Sequence, residues 1–81
     1  MLGNLDKTAK VVGLKQTKKA VKEGSAVKVY LARDAEERVL RPIYELCNEC
    51  SVPVETVDSM DELGNACGIE VGAAAVAVIR E

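Results

Sequence analysis

The sequence predicts an α/β protein, a three-layer α/β/α sandwich around a small mixed four-stranded sheet, and three observations carry that expectation. Helical and strand periodicities alternate along the chain. The last apolar run reads as a strand buried on both faces, which needs helices on either side of it. No linker or low-complexity stretch interrupts the 81 residues, so residues 1–81 are expected to form one domain.

Each element has its own signal. A short helix is expected over Gly3–Ala9, and Val11-Val12 begins a brief strand. From Gln16 to Glu23 the pattern is helical, with Ala20 and Val21 facing inward and Gly24 as the left-handed stop. Val27 to Ala32 alternates as a strand, placing Val27, Val29 and Leu31 on one face and Lys28, Tyr30 and Ala32 on the other. Val39, Ile43, Leu46, Cys47 and Cys50 then recur at helical spacing, which predicts a helix from Glu36 or Glu37 to Cys50. Within it Pro42 either sits in the first turn of a shorter helix or bends a longer one. Val54 to Val57 reads as a strand. Ser59-Met60-Asp61-Glu62 is a capping-box pattern opening a helix that ends at Gly68, and Gly72 to Ile79 is the doubly buried strand.

Composition narrows the function. A chain this short buries only about 60% of the surface its unfolded form exposes, which favours a binding module over an enzyme with a large enclosed cavity. There is no histidine, hence no neutral-pH proton shuttle, and a catalytic set of acid, base and nucleophile could be assembled only from scattered carboxylates and thiols, which makes an enzyme the least favoured reading. With no Trp, no Phe and only Tyr30 and Tyr44, the chain lacks the aromatic platform on which single-strand nucleic-acid binders stack bases. No segment reaches the ~18 apolar residues of a membrane span and no apolar signal-peptide region opens the chain, so a cytoplasmic protein is expected.

Cys47, Cys50 and Cys67 are odd in number and have no histidine beside them, which argues against a disulfide framework and against a zinc site. Cys47 and Cys50 spell C-x-x-C near the end of a predicted helix, where the dipole disfavours a thiolate, so they read as reduced cysteines partly filling a helix face. No metal and no cofactor is expected.

The net charge of −2 conceals an uneven distribution. Residues 1–33 hold eight cations against Asp6 and Glu23, a balance of +6, whereas residues 34–81 hold three arginines against eleven acids, a balance of −8. Such asymmetry points to a local polyanion site, set against the plainer reading of a solvated lysine face. The helix beginning near Gln16 breaks the rules of helix starts. It is approached through Gly13-Leu14-Lys15, without a Ser, Thr, Asp or Asn cap, and Lys15, Lys18 and Lys19 oppose the macrodipole in its first turns. An external anion resolves the conflict, because free N–H groups at a helix start and nearby ammoniums together form a phosphate site. The segment lacks the glycine, lysine and hydroxyl spacing of a nucleotide-binding P-loop. Lysine and glutamine can also read purine edges, so RNA or DNA is a better ligand than a free nucleotide. A second unusual stretch, Ala66-Cys67-Gly68-Ile69-Glu70-Val71-Gly72, either tucks into the core or forms a semi-exposed apolar wall.

Three blocks carry a resemblance. Gly13-Leu14-Lys15-Gln16-Thr17-Lys18-Lys19-Ala20, then Val52-Pro53-Val54, then the run from Leu63-Gly64-Asn65-Ala66-Cys67-Gly68 through Ile69-Glu70-Val71-Gly72 to Ala77 resemble the kink-turn-binding ribosomal protein family, the archaeal L7Ae group. In length and in Lys15-Gln16 the chain is most similar to the small bacterial YbxF-type members. The resemblance implies a single RNA-binding domain that stabilises a kink-turn, an RNA duplex sharply bent at a bulge beside tandem sheared G·A pairs. It places Gly13, Lys15, Gln16, Thr17, Lys18 and Lys19 at the G·A pairs, with Lys19 on guanine. It places Ile69, Glu70 and Val71 over bulge nucleotides, and Arg33 and Asp34 in a third contact region. The implied partner is structured RNA, ribosomal or riboswitch-like, bound by a monomer. Where many members carry Asn-Glu, this chain has Lys15-Gln16, which replaces a charged acceptor with a weaker neutral one and adds a phosphate-attracting ammonium. The alternative is a protein-interaction domain of the same fold that uses the apolar loop and the acidic helices.

Overall fold

The computed structural model describes residues 8–80. Its elements are β1 (Lys10–Val12), α1 (Leu14–Lys22), β2 (Ala26–Ala32), α2 (Glu37–Glu49), β3 (Val54–Val57), α3 (Met60–Ala66) and β4 (Ala75–Ile79). Residues 3–7 of the helix expected over Gly3–Ala9 lie outside the described residues, while Thr8 is a bend and Ala9 leads irregularly into β1. The sheet order is β1-β4-β2-β3. β4 pairs antiparallel with both β1 and β2, and β2 pairs parallel with β3, so the sheet is mixed as expected.

Two apolar clusters put helices on both faces. On one face Ala20 and Val21 of α1 and Ile43 and Cys47 of α2 meet Val29, Leu31, Ala75 and Ala77. On the other, Leu63 and Cys67 at α3 meet Tyr30, Ala32, Val57 and Val76. β4 contributes alternate residues to both clusters, which is why its sequence shows no polar alternation. The three-layer sandwich is therefore observed, with β4 starting three residues later than its apolar run.

Three local departures have physical causes. Val27 was expected to share the inward face of Val29 and Leu31, yet it is 42% exposed. The register between β2 and β4 shifts between Ala26 and Lys28, and this bulge turns Val27 outward and Ala26 into the core. α2 runs through Pro42, which lies on the exposed side, where water can satisfy the carbonyl left without its donor. Cys50 is the exposed C-cap of α2, so of the two cysteines only Cys47 fills the inner face. Burial pushes the Cys47 and Cys67 thiols above their usual pKa.

The three helices of the described residues end alike. The residue after the C-cap takes a left-handed conformation, and the amide following it bonds back five residues: Ser25 to Ala20 at 3.0 Å, Val52 to Cys47 at 2.8 Å and Ile69 to Gly64 at 3.1 Å. Gly24 and Gly68 fill two of these positions, and Ser51, with φ 58°, fills the third. That stop had no glycine to announce it.

Thr17, on the inner side of α1, is fully buried, and its hydroxyl has no hydrogen-bond partner among the described residues. Desolvating an unpaired hydroxyl is unfavourable, and valine has nearly the same shape and helix propensity. Thr17→Val is thus expected to raise stability by roughly 1 kcal/mol in urea or thermal unfolding. A loss of stability would show that the hydroxyl is satisfied.

Candidate nucleic-acid interface

The unusual helix start is built around Gly13. Its backbone, at φ 118° and ψ 159°, occupies a region open essentially to glycine alone. The Gly13 N–H donates to the Ala75 carbonyl at 2.9 Å, tying the β1–α1 corner to the start of β4. Its carbonyl accepts from Thr17 N–H at 2.9 Å, the first bond of the helix. A side chain here would meet Gln16 Oε1 at 2.6 Å, so the Gln16 amide folds over the space that glycine leaves. No side chain caps α1 and no acid lies in its first turn. The partial positive charge of the helix start is accordingly left uncompensated by the protein.

Lys15, Lys18, Lys19 and Lys22 follow at i, i+3, i+4 and i+7, one face of the helix, and with Glu23 they line an open depression. Lys15, Lys19 and Lys22 are exposed and Lys18 is half-buried. Among the described residues none of these four lysines forms an ion pair, whereas cations elsewhere do. Lys28 reaches Glu55 at 2.8 Å, Arg33 lies 3.8 Å from Asp58, Arg38 lies 3.4 Å from Glu36, and Arg41 pairs with Glu37. The hydrogen bond to Glu55 holds the Lys28 ammonium above its usual pKa, and Lys28 also sits 5.0 Å from the centroid of the Tyr30 ring. Among the described residues, the uncommitted part of the basic region is thus the α1 stripe.

The other expected site residues divide. Arg33 follows β2 and is anchored by its N–H to the Val57 carbonyl at 2.8 Å, leaving an exposed guanidinium. Asp34 Oδ1 accepts the N–H of Met60, the first residue of α3, at 2.8 Å. Ile69 packs half-buried against the second cluster, while Glu70 is exposed and Val71 is 70% exposed. The loop thus does both of the things expected as alternatives, anchoring at Ile69 and presenting Val71. Thr17 is the exception: its buried side chain supports α1 from within and cannot reach a ligand without helix movement.

The register explains how the three segments meet. Val12 lies opposite Val76, Leu31 opposite Ala75, and Ala32 opposite Val57. The C-terminal ends of β1, β2 and β3 and the N-terminal end of β4 therefore share one end of the sheet. The α1 start, the Arg33-Asp34 corner and the 69–71 loop all leave the sheet there. Sequence reasoning overlooked Gly64, which lets the loop approach α3: a Cβ at Gly64 would sit 2.1 Å from the Val71 carbonyl oxygen. The available signal was a glycine inside a helical pattern, unfavourable unless something packs on it. No group of three or more Cys, Asp or Glu among the described residues is placed to hold a metal, and no described helix is long and apolar enough to cross a membrane.

The profile of the ribosomal protein L7Ae/L30e/S12e/Gadd45 family matches residues 2–81. The chain belongs to this family. Among L7Ae-family relatives, an RNA-binding protein of Geobacillus sp. strain WCH70 is 54% identical over 70 residues, covering 86% of this chain and 85% of that protein. The RNA-binding protein YbxF of Geobacillus stearothermophilus is 51% identical over the same length, with the same coverage. The large ribosomal subunit protein eL8 of Halobacterium salinarum is 43% identical over 68 residues, covering 83% of this chain but 57% of its own length. A Bacillus halodurans protein of unknown function superposes with a TM-score of 0.88 at 26% identity, covering 98% of this chain and 80% of its own. The two Geobacillus relatives are described as RNA-binding proteins and the Halobacterium relative as a ribosomal protein, none of them as an enzyme.

Proposed function

We propose that this L7Ae-family protein binds structured RNA and stabilises a kink-turn, acting as a monomeric, single-domain cytoplasmic protein on ribosomal or riboswitch-like RNA. The observation that carries the reading is the stripe of unpaired lysines leading from an uncapped helix start, at the sheet end where Val71 is exposed. Its relatives' descriptions as RNA-binding proteins support the same class of ligand.

In this reading α1 enters the widened groove beside the sheared G·A pairs. Lys19 donates to guanine O6 and N7, for which an ammonium is suited, and the Gln16 amide offers both a donor and an acceptor to a purine edge. Lys15 and Lys18 lie where a bend crowds phosphates, and their charges with the helix dipole offset that repulsion. Val71 covers bulge nucleotides through apolar contact, and Arg33 meets the backbone at the third segment. The acidic balance of residues 34–81 disfavours binding along arbitrary duplex. Because the kinked form binds better than the extended one, the protein shifts the RNA population towards the kink without any chemistry of its own.

A gel-shift panel tests this directly, with a kink-turn hairpin, the same hairpin with its G·A pairs replaced, and a plain duplex. Selective retention of the first is expected, with affinity falling as salt rises by about 0.9 log unit per log unit of salt for each phosphate contacted. Equal affinity for all three RNAs would sink kink-turn recognition. No binding to any would favour the protein-interaction alternative.

A further inference from the structure

We infer that Asp34 is a positioning residue for the apolar loop: acting through Met60, it holds the segment that presents Val71, without itself touching RNA. The link to RNA affinity rests on the function proposed above; the positioning role does not.

Met60 is a relay with two sides. Its N–H donates to Asp34 Oδ1 at 2.8 Å, and its carbonyl accepts the N–H of Ala73 at 3.0 Å. One peptide segment of α3 therefore connects the corner after β2 to the end of the apolar loop. Met60 also packs tightly under the loop, since a Cβ at Gly72 would lie 3.0 Å from Met60 Cβ. The loop's other end is held where Ile69 N–H reaches the Gly64 carbonyl at 3.1 Å. Between these fixed points Glu70 and Val71 project into solvent.

Asp34 satisfies a free donor at the start of α3 and, through the same residue, reaches the loop. Ser59 already caps α3, its Oγ accepting the Glu62 N–H at 3.0 Å. Asp34 takes a different amide, that of the residue that also grips Ala73. A carboxylate used for RNA contact would face phosphate repulsion, whereas one bonded to a backbone N–H favours a fixed position. Met60 moves with whatever holds its amide, and Ala73 moves with Met60.

Two variants separate this role from direct contact. Asp34→Ala removes the acceptor, and Asp34→Asn keeps an oxygen acceptor while removing the charge. In the RNA-free protein, amide hydrogen exchange at Ala73 should rise by roughly fivefold in Asp34→Ala, the factor that loss of one cap corresponds to, and the Val71 methyl NMR signals should shift. Asp34→Asn should stay close to the parent in both readouts. With RNA, Asp34→Ala should lose several-fold in affinity for the kink-turn hairpin and little for plain duplex, and Asp34→Asn should restore it. Unchanged Ala73 exchange and Val71 signals in Asp34→Ala would overturn the inference, as would equal affinity losses in both variants. If the parent protein binds no kink-turn while the RNA-free changes occur, the proposed function falls and the positioning role stands.

Discussion

Lys19→Ala is expected to weaken binding to a kink-turn hairpin by about 10- to 100-fold, while binding to the same stem without its bulge falls only slightly. The magnitude follows from the roughly 1–3 kcal/mol that a good side-chain contact to a base edge contributes to discrimination. The asymmetry follows from position. Lys19 lies one turn beyond Lys15 on the unpaired stripe, exposed and without a carboxylate to satisfy, so its removal costs the free protein almost nothing. Lys22, at the far end of the same stripe, serves as the internal control. A lysine that meets only phosphate should lose affinity evenly across RNAs, with the salt slope reduced by about one unit. Equal losses on both RNAs for Lys19→Ala would show that α1 attracts phosphate without reading a base.

Gly64→Ala is expected to have the largest effect on the fold. Helix propensity alone favours alanine by about 1 kcal/mol, so a residue free of tertiary contact would gain stability. Here the added methyl would lie 2.1 Å from the Val71 carbonyl oxygen, which belongs to backbone and cannot rotate away. Either α3 shifts or the loop lifts, and overpacking of this kind costs about 1–3 kcal/mol. At this chain length that corresponds to a drop in melting temperature on the order of 10 °C. The same change should reduce kink-turn affinity, because the lifted segment carries Val71. A Gly64→Ala protein as stable as the parent, or more so, would show that the loop does not rest on α3 as described.

Much of the fold was legible because local rules and tertiary demands agree over most of the chain. Ser59 was readable as a cap because its hydroxyl satisfies an amide three residues away, a purely local event. Ala20, Val21, Ile43 and Cys47 were readable as inward because a helix face repeats every 3.6 residues wherever the core lies. The α1 start was legible for the opposite reason: glycine and lysines stand where a cap and acids would be favoured, and the structure supplies no partner to compensate.

What escaped the sequence had partners far along the chain. Val27 looked inward until pairing with β4 introduced a bulge that reversed its phase. Arg33 and Asp34 were expected together in one contact region at the end of β2. Pairing of β2 with β3 brings the α3 start beside them, and Asp34 then takes the Met60 amide 26 residues away. Thr17 lay within the α1 block and proves to be interior.

By itself the sequence determined the alternation of helices and strands, the uneven charge and the uncapped basic helix, because each depends on spacing within a few residues or on simple sums. Only the tertiary structure decided which lysines remain unpaired, which part of the apolar loop faces solvent, and that three distant segments leave the same end of the sheet. Those outcomes depend on strand order and register, which are set by contacts between residues far apart in the chain and leave no local periodicity to read.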